Sequence, residues 1–233
     1  MRKIIITDLT RFNNRDIVCT AGIDLDTRQC IRPMPYLPSS ECQRLNILPG
    51  AILQGEFSPS KQLNGPHQED MNHKNLRFCG SCSSDDFKNA LEAGLFDSVE
   101  DGFEIGLSAK QKHIPIGHPI ERSIITIKVS PFDIKVVEDS YKPGKVKLHF
   151  EDQNGHNFRY MPISDLGFHV FAQNHREENR LHELNSFIQS QSEVYLRIGL
   201  SRSHTIGTIE GYWIQVNGLY TFPKYYPELR IHN

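Results

Sequence analysis

Glu193-Val-Tyr-Leu-Arg-Ile-Gly-Leu-Ser-Arg-Ser-His204, a short polar break, then Gly211-Tyr-Trp-Ile-Gln-Val-Asn-Gly-Leu-Tyr-Thr-Phe-Pro223 is the stretch on which the fold turns. Val194, Leu196, Ile198 and Leu200 fall at every second position, the period of a half-buried strand. Asn217-Gly218 is a dipeptide that favours a type I′ turn, because both residues tolerate positive φ. With those two residues as the loop, Val216 pairs with Leu219, Ile214 with Thr221 and Trp213 with Phe222. Ile214, Val216, Leu219 and Thr221 then face inward. Trp213, Gln215, Tyr220 and Phe222 form an outer face rich in rings. Exposed rings on a β-barrel are platforms on which bases of a single strand stack. The competing reading is that the rings are covered by the C-terminal tail or by another domain, since aromatic side chains are more often buried.

Working outward, the 233 residues make one large or two small domains. Apolar residues at 38% suffice for a core and suit small domains with much surface. The net charge of −2 excludes a uniformly basic nucleic-acid binder; any such binding needs a local basic groove. The opening residues lack the charged and apolar regions of a signal peptide, so none is expected, and no apolar run reaches membrane-spanning length. Five cysteines, an odd number, suit a reducing cytoplasm.

Strands are expected at 3–6, 17–23, 29–32 and 51–57, with turns at Asp24–Thr27 and Leu48-Pro49-Gly50. A polar loop follows over 58–77. Ser83 or Ser84 caps a helix with Asp85 and Asp86 in its first turn and Phe87, Ala90 and Leu91 as its apolar stripe. A second strand set runs over 123–161, with Lys142-Pro143-Gly144-Lys145 as one of its turns, and a helix over 174–190 precedes the opening stretch. Strands, helix, strands, twice over, is the layout of small Greek-key barrels with an inserted helix. The expected fold is mainly β with a few helices: two tandem OB-like barrels, at 1–118 and 119–233.

Three blocks of residues support that layout. Cys30-Ile31-Arg32-Pro33 resembles the (Trp/Cys)-Ile-Arg-Pro segment of a family of dual OB-domain proteins. Pro66-His67-Gln68-Glu69-Asp70 resembles that family's Pro-His-Gln loop. Leu196–Arg202 and Trp213–Gly218 with Thr221-Phe222-Pro223 resemble its C-terminal block. The resemblance spans Ile4 to Tyr225 in unbroken order. It implies two tandem barrels and a role in binding nucleic acid, with no established activity or catalytic residues. The chain departs from the pattern in the length of Ser58–Leu107, with extra Cys and His, and in Cys30, where an aromatic residue is common.

Arg32, Arg197 and Arg202 lie in or beside strands, where a guanidinium reaches a phosphate or planar partner bidentately. Arg197 alternates with Leu196 and Ile198 and so is expected to point away from the core; the alternative is an ordinary surface ion pair. His67, Glu69 and Asp70 cluster in a loop, with the chemistry of a general base or metal ligand but no fixed geometry. Cys79-Gly80-Ser81-Cys82 has the two-residue spacer of a zinc ligand pair. His67 and His73 would have to complete it, at a spacing uncommon among zinc sites; plain thiols at a helix start are the alternative. There is no phosphate-binding Gly-rich loop, no Gly-x-Ser-x-Gly and no His-Glu-x-x-His.

The expected function is therefore non-enzymatic binding of nucleic acid, single-stranded or nucleotide-sized. Trp213, Gln215, Tyr220 and Phe222 are the candidate platform, and Arg32, His67, Arg197 and Arg202 the polar contacts. The rivals are a metal-assisted phosphodiester hydrolase using the 58–82 segment and a protein-interaction subunit of a larger assembly.

Overall fold

A computed structural model describes residues 1–60 and 65–226. Among the described residues strands make up 45% and five helices 18%, so the fold is mainly β. The first half contains β1 (Arg2–Arg11), β2 (Ile17–Asp24), β3 (Cys30–Met34), β4 (Leu37–Pro38), α1 (Ser39–Arg44), β5 (Ala51–Pro59), β6 (Asp70–Ser81) and α2 (Ser84–Glu92). β1 serves two neighbours: Arg2–Ile5 pair with β5, and Ile4–Arg11 pair with β2. A bulge between Ile6 and Asp8 bends it from one to the other. At the bend Gly22 lies against β1, where a Cβ would come within 2.6 Å of the Ile5 carbonyl oxygen. The wall closes in the order β1-β5-β6-β3-β2-β1, with β3 and β6 parallel and the other pairs antiparallel. Numbered along the chain, its five strands run 1-2-3-5-4-1, the Greek-key closure of an OB barrel. Ile4, Ile6, Leu9, Val18, Ile31 and Leu53 fill it, and Cys42 of α1 plugs one end.

The second half contains β7 (Leu95–Phe96), α3 (Val99–Phe103), β8 (His113–Pro115), β9 (Ile124–Val129), β10 (Ile134–Glu138), β11 (Val146–Glu151), β12 (Asn157–Met161), α4 (Leu166–Glu177), α5 (Leu181–Gln189), β13 (Glu193–Leu200), β14 (His204–Ile206) and β15 (Ile209–Phe222). β9 pairs with β13, and β10 pairs with β11, so β9 and β10 act as the two halves of one bent first strand. β11 pairs with β12, whose continuation at Ile163 meets Val216 of β15 in parallel. β15 returns to β13. The same 1-2-3-5-4 order recurs, divided between the sheet β10-β11-β12 and the sheet that holds β15, β13 and β9, which the Ile163–Val216 bridge joins. β7, α3 and β8, which a division at 118 assigns to the first barrel, pair or pack with this second wall. Among the described residues no helix is long and apolar enough to cross a membrane.

Three local expectations are corrected. Asn217-Gly218 forms no turn: β15 runs through it, and neither residue has positive φ. The dipeptide instead carries a bulge opposite Arg197/Ile198. Asn217 there covers Gly199 so closely that a Cβ at 199 would lie 2.1 Å from its Nδ2. The hairpin reverses where Ile206 pairs with Ile209. A bulge shifts the alternation by one residue, as a two-residue loop would. Ile214, Val216, Leu219 and Thr221 are accordingly buried. The helix expected from Asn174 begins earlier, at Leu166, where Asp165 accepts a hydrogen bond from the Phe168 N–H. The chain then breaks before α5, with Asn179 at φ 57°. The polar stretch 58–77 is not one loop: its described residues include the end of β5, at 58–59, and the start of β6, at 70–77. α2 forms as read, with Ser83 accepting from the Asp86 N–H and Phe87, Ala90 and Leu91 buried.

Candidate nucleic-acid interface

The three conspicuous arginines converge on the seam between the barrels. Arg197 points away from the core of its own barrel, as expected, yet it is 1% exposed, which overturns the surface-pair alternative. On β13 its outer side faces the first barrel, not solvent. Its Nε and Nη2 reach Asp8 Oδ2 of β1 at 3.0 and 2.9 Å, its Nη1 donates to Thr126 Oγ1 at 2.9 Å, and its Nη2 reaches Cys30 Sγ at 3.6 Å. Arg32 is equally enclosed: its Nε donates to Asp70 Oδ1 at 2.6 Å and its Nη2 to Ser123 Oγ at 3.1 Å. Glu69 accepts from the Ser123 and Ile124 N–H groups at 2.6 and 3.1 Å, tying the 66–70 loop to the start of β9. Arg202 joins the same network, donating to Asp70 Oδ2 at 2.8 Å and to the Tyr36 hydroxyl at 3.0 Å, but its side chain is 38% exposed. Buried His67 has Nε2 3.4 Å from the Leu200 carbonyl.

Burying a guanidinium is tolerable only when carboxylates and hydroxyls take its donors. Residues of Cys30–Pro33, Pro66–Asp70 and Leu196–Arg202, far apart in sequence, meet that requirement together at the seam, in an Arg197–Asp8 group and an Arg32–Asp70–Arg202 group. Cys30 sits in the first of these, and burial pushes its thiol pKa up to about 12.

The four platform residues separate. Tyr220 packs edge-on to Phe87 of α2, and its hydroxyl donates to the Thr7 carbonyl at 2.6 Å. Phe222 stands edge-on to Tyr195. Both belong to a cluster with Ile5, Ile23, Phe87, Leu91 and Tyr195 that glues the barrels together. Gln215 donates to Asn217 Oδ1 at 3.0 Å. Trp213 lies elsewhere, at the far end of β15, between the rings of His113 and His204.

The proposed zinc ligands also separate. His67 is at the seam. His73 reaches the Pro35 carbonyl at 3.3 Å, and exposed Cys79 lies 3.8 Å from Gln54 Oε1. Cys82 follows the end of β6, half-buried at the edge of the seam cluster. No group of three His, Cys, Asp or Glu among the described residues is placed to hold a metal ion.

An OB barrel presents ligands on the outer face of its second and third strands and on the loop between its first two. In the first barrel that face is closed: Ile23 of β2 and Cys30 of β3 lie under Tyr195, Tyr220 and Phe222 of the second. In the second barrel the equivalent face, β11 and β12 with the 139–145 loop, is open. Inward residues Val146, Leu148, Phe150, Phe158 and Met161 fill the core. Lys147, His149, Arg159 and Tyr160 point the other way, joined by Lys135 opposite His149. Tyr141 in the loop is 80% exposed and edge-on to Tyr160, with centroids 5.2 Å apart. Tyr160 in turn is edge-on to His149 at 4.5 Å.

The cations are dense enough to act on each other. Burial lowers the pKa of Lys147, and the charges of Lys112, Lys142 and Lys145 lower it further, against the pull of Asp139. Burial, then Arg159, Lys112 and Lys135, lowers that of His149. Arg159 Nη1 lies 3.2 Å from His149 Nδ1. A guanidinium only donates, so Nδ1 accepts and the imidazole proton sits on Nε2. Asp139 shapes the loop by accepting from the Tyr141 and Lys142 N–H groups at 2.9 and 3.2 Å. Composition hid this patch, because the whole chain is slightly acidic. The alternation Lys145-Val-Lys-Leu-His149 was the signal: every second residue carries a basic group, facing away from the apolar set.

No curated protein and no solved structure matches the chain. A family model described as the dual OB-containing domain matches residues 3–219, nearly the whole length, in keeping with the two walls and the seam. The chain belongs to the dual OB-containing domain family.

Proposed function

We propose that the protein binds single-stranded nucleic acid on the outer face of β10, β11 and β12. The observation that carries this reading is the asymmetry of the two barrels. One ligand face is sealed by its neighbour, and the other exposes Tyr141 and Tyr160 amid Lys135, Lys142, Lys145, Lys147 and Arg159. Tyrosine faces stack on bases of any identity, and the surrounding cations meet phosphates. An 80%-exposed tyrosine contributes nothing to the core, so its ring is free for a ligand. On this reading the arginines at the seam hold the two barrels in register and do not touch the strand, except at the exposed edge of Arg202.

Fluorescence anisotropy with a labelled twelve-nucleotide single strand tests it. Tyr141→Ala is expected to weaken binding by about 1–3 kcal/mol, the range for one stacked base, with the melting temperature unchanged. Arg159→Gln is expected to flatten the plot of log affinity against log salt by about 0.7, one phosphate contact on a single strand. Wild-type affinity that does not change with salt, or an unaltered Tyr141→Ala variant, would remove the reading.

A further inference from the structure

The seam also holds a cleft. Pro49 and Phe87 of the first barrel line one part of it; α4, α5, the end of β15 and the residues just beyond line the rest. Its empty space, the open mouth included, is about 600 Å³. Seven aromatic residues line it, among them Phe168, Phe187, Tyr220, Phe222 and Tyr226. Phe187 and Tyr226 lie against each other, with centroids 4.0 Å apart, and both are half-buried.

One acidic group is set among these rings. Asp165 is 6% exposed. Its two carboxylate oxygens accept from the N–H groups of Phe168 and Leu219, at 3.0 and 3.3 Å, and both of those residues line the cleft. The Gly167 N–H bonds to it as well. A carboxylate has about four acceptor positions, so three N–H groups leave one. Among the described residues no Lys, Arg or His forms an ion pair with it. Burial, and then the like charge of Asp8, push its pKa up to about 7 against the pull of those N–H groups. A proton thus stands where a buried carboxylate ordinarily has a cation.

We infer that the cleft takes a small organic cation, an ammonium or amidinium group on an apolar body, whose N–H groups meet Asp165 and whose body lies among the rings. Ring faces attract cations as well as apolar surface. An anion would be repelled by Asp165 and Asp8, and a neutral apolar guest would leave the acid unused. No residue of the β10–β12 face lines the cleft, so the inference stands apart from the reading of that face.

The groups near Asp165 leave it the one to follow by pH. Asp8 of β1 is paired with Arg197, and the Tyr220 hydroxyl of β15 donates to the Thr7 carbonyl. On α4, burial and the charge of Arg11 hold the pKa of His169 down to about 4, so that ring is neutral at pH 6 and above. α5 turns Leu184, Phe187 and Ile188 to the cleft, none of them ionisable.

Calorimetric titration of the full chain with benzamidine, and with benzamide as a neutral counterpart of nearly the same shape, tests the inference at pH 6 and pH 8. Benzamidine is a cation at both. Below the pKa of Asp165 it must displace a proton, so it is expected to bind about tenfold more weakly at pH 6 than at pH 8. Benzamide is expected to bind at least about tenfold more weakly than benzamidine at pH 8, and equally at the two pH values. Asp165→Asn should bring benzamidine down to the level of benzamide and remove its pH dependence. Phe187→Ala should weaken both. Benzamide binding as tightly as benzamidine, or an Asp165→Asn variant that binds benzamidine like the wild type, would reduce the cleft to an apolar surface and overturn the inference. So would benzamidine that binds equally at pH 6 and pH 8, or not at all at pH 8. Affinity that falls as the protein concentration is raised would give the cleft to a second copy of the chain and overturn it too.

Discussion

Arg197→Ala is expected to lose about 3–5 kcal/mol of stability in urea denaturation, enough to bring a domain of ordinary stability to the edge of unfolding. The loss is not the strength of one ion pair. Removing the guanidinium leaves the Asp8 carboxylate in a seam where both side chains are 1% exposed, and Asp8 Oδ1 already has no hydrogen-bond partner there. Thr126 Oγ1 loses its donor as well. Removing both charges should behave differently. Asp8→Leu with Arg197→Met replaces the pair by apolar groups of similar volume, and such swaps are often neutral or stabilising. The double variant is therefore expected to recover most of the stability, with a coupling energy of several kcal/mol. A loss below about 1 kcal/mol for the single variant would mean that water reaches the seam, as at exposed pairs.

The second large effect is one of pH. Asp165 is fully enclosed at the start of α4, and burial raises its pKa from 3.8 to about 7, with the charge of Asp8 adding to the shift and hydrogen bonds from Phe168 and Leu219 opposing it. The folded chain thus keeps a proton that the unfolded chain releases above about pH 4. Stability from this group is complete below that pH, declines as pH rises towards 7, and is constant beyond it. The gap corresponds to roughly 4 kcal/mol. Asn caps a helix as well as Asp and carries no charge. Asp165→Asn should therefore match the wild type near pH 4 and exceed it by about 1–3 kcal/mol at pH 8, the remainder being lost with the carboxylate's stronger hydrogen bonds. Parallel stability curves from pH 4 to 8 would show that Asp165 does not titrate between the folded and unfolded chains.

Barrel architecture was legible because it rests on local signals. Alternation in Glu193–Leu200, the turn at Asp24–Thr27, and the Ser83 cap with its acidic first turn all formed as read. Asn217-Gly218 misled because one dipeptide suits both a type I′ turn and a bulge. Which of the two forms depends on β13, whose Gly199 makes room for Asn217. The arginines misled for a related reason. In a strand, alternation separates two faces but does not say which meets solvent. When a second barrel covers the outer face, a charged residue at an outer position is buried. That covering is a property of tertiary assembly, and the three blocks that make the seam are far apart in sequence. The basic face on β11 was the reverse case. Its residues are contiguous, yet a whole-chain charge of −2 diluted them.

The central claim, that the strand lies on the second barrel because the first is sealed, is tested most directly by ultraviolet cross-linking of a twelve-nucleotide single strand to the intact protein, with the adducts located by mass spectrometry. The account predicts adducts at Tyr141, Tyr160 and His149, and none at Cys30, Tyr195, Tyr220 or Phe222. Adducts on those seam residues, with the β10–β12 face unmodified, would contradict it.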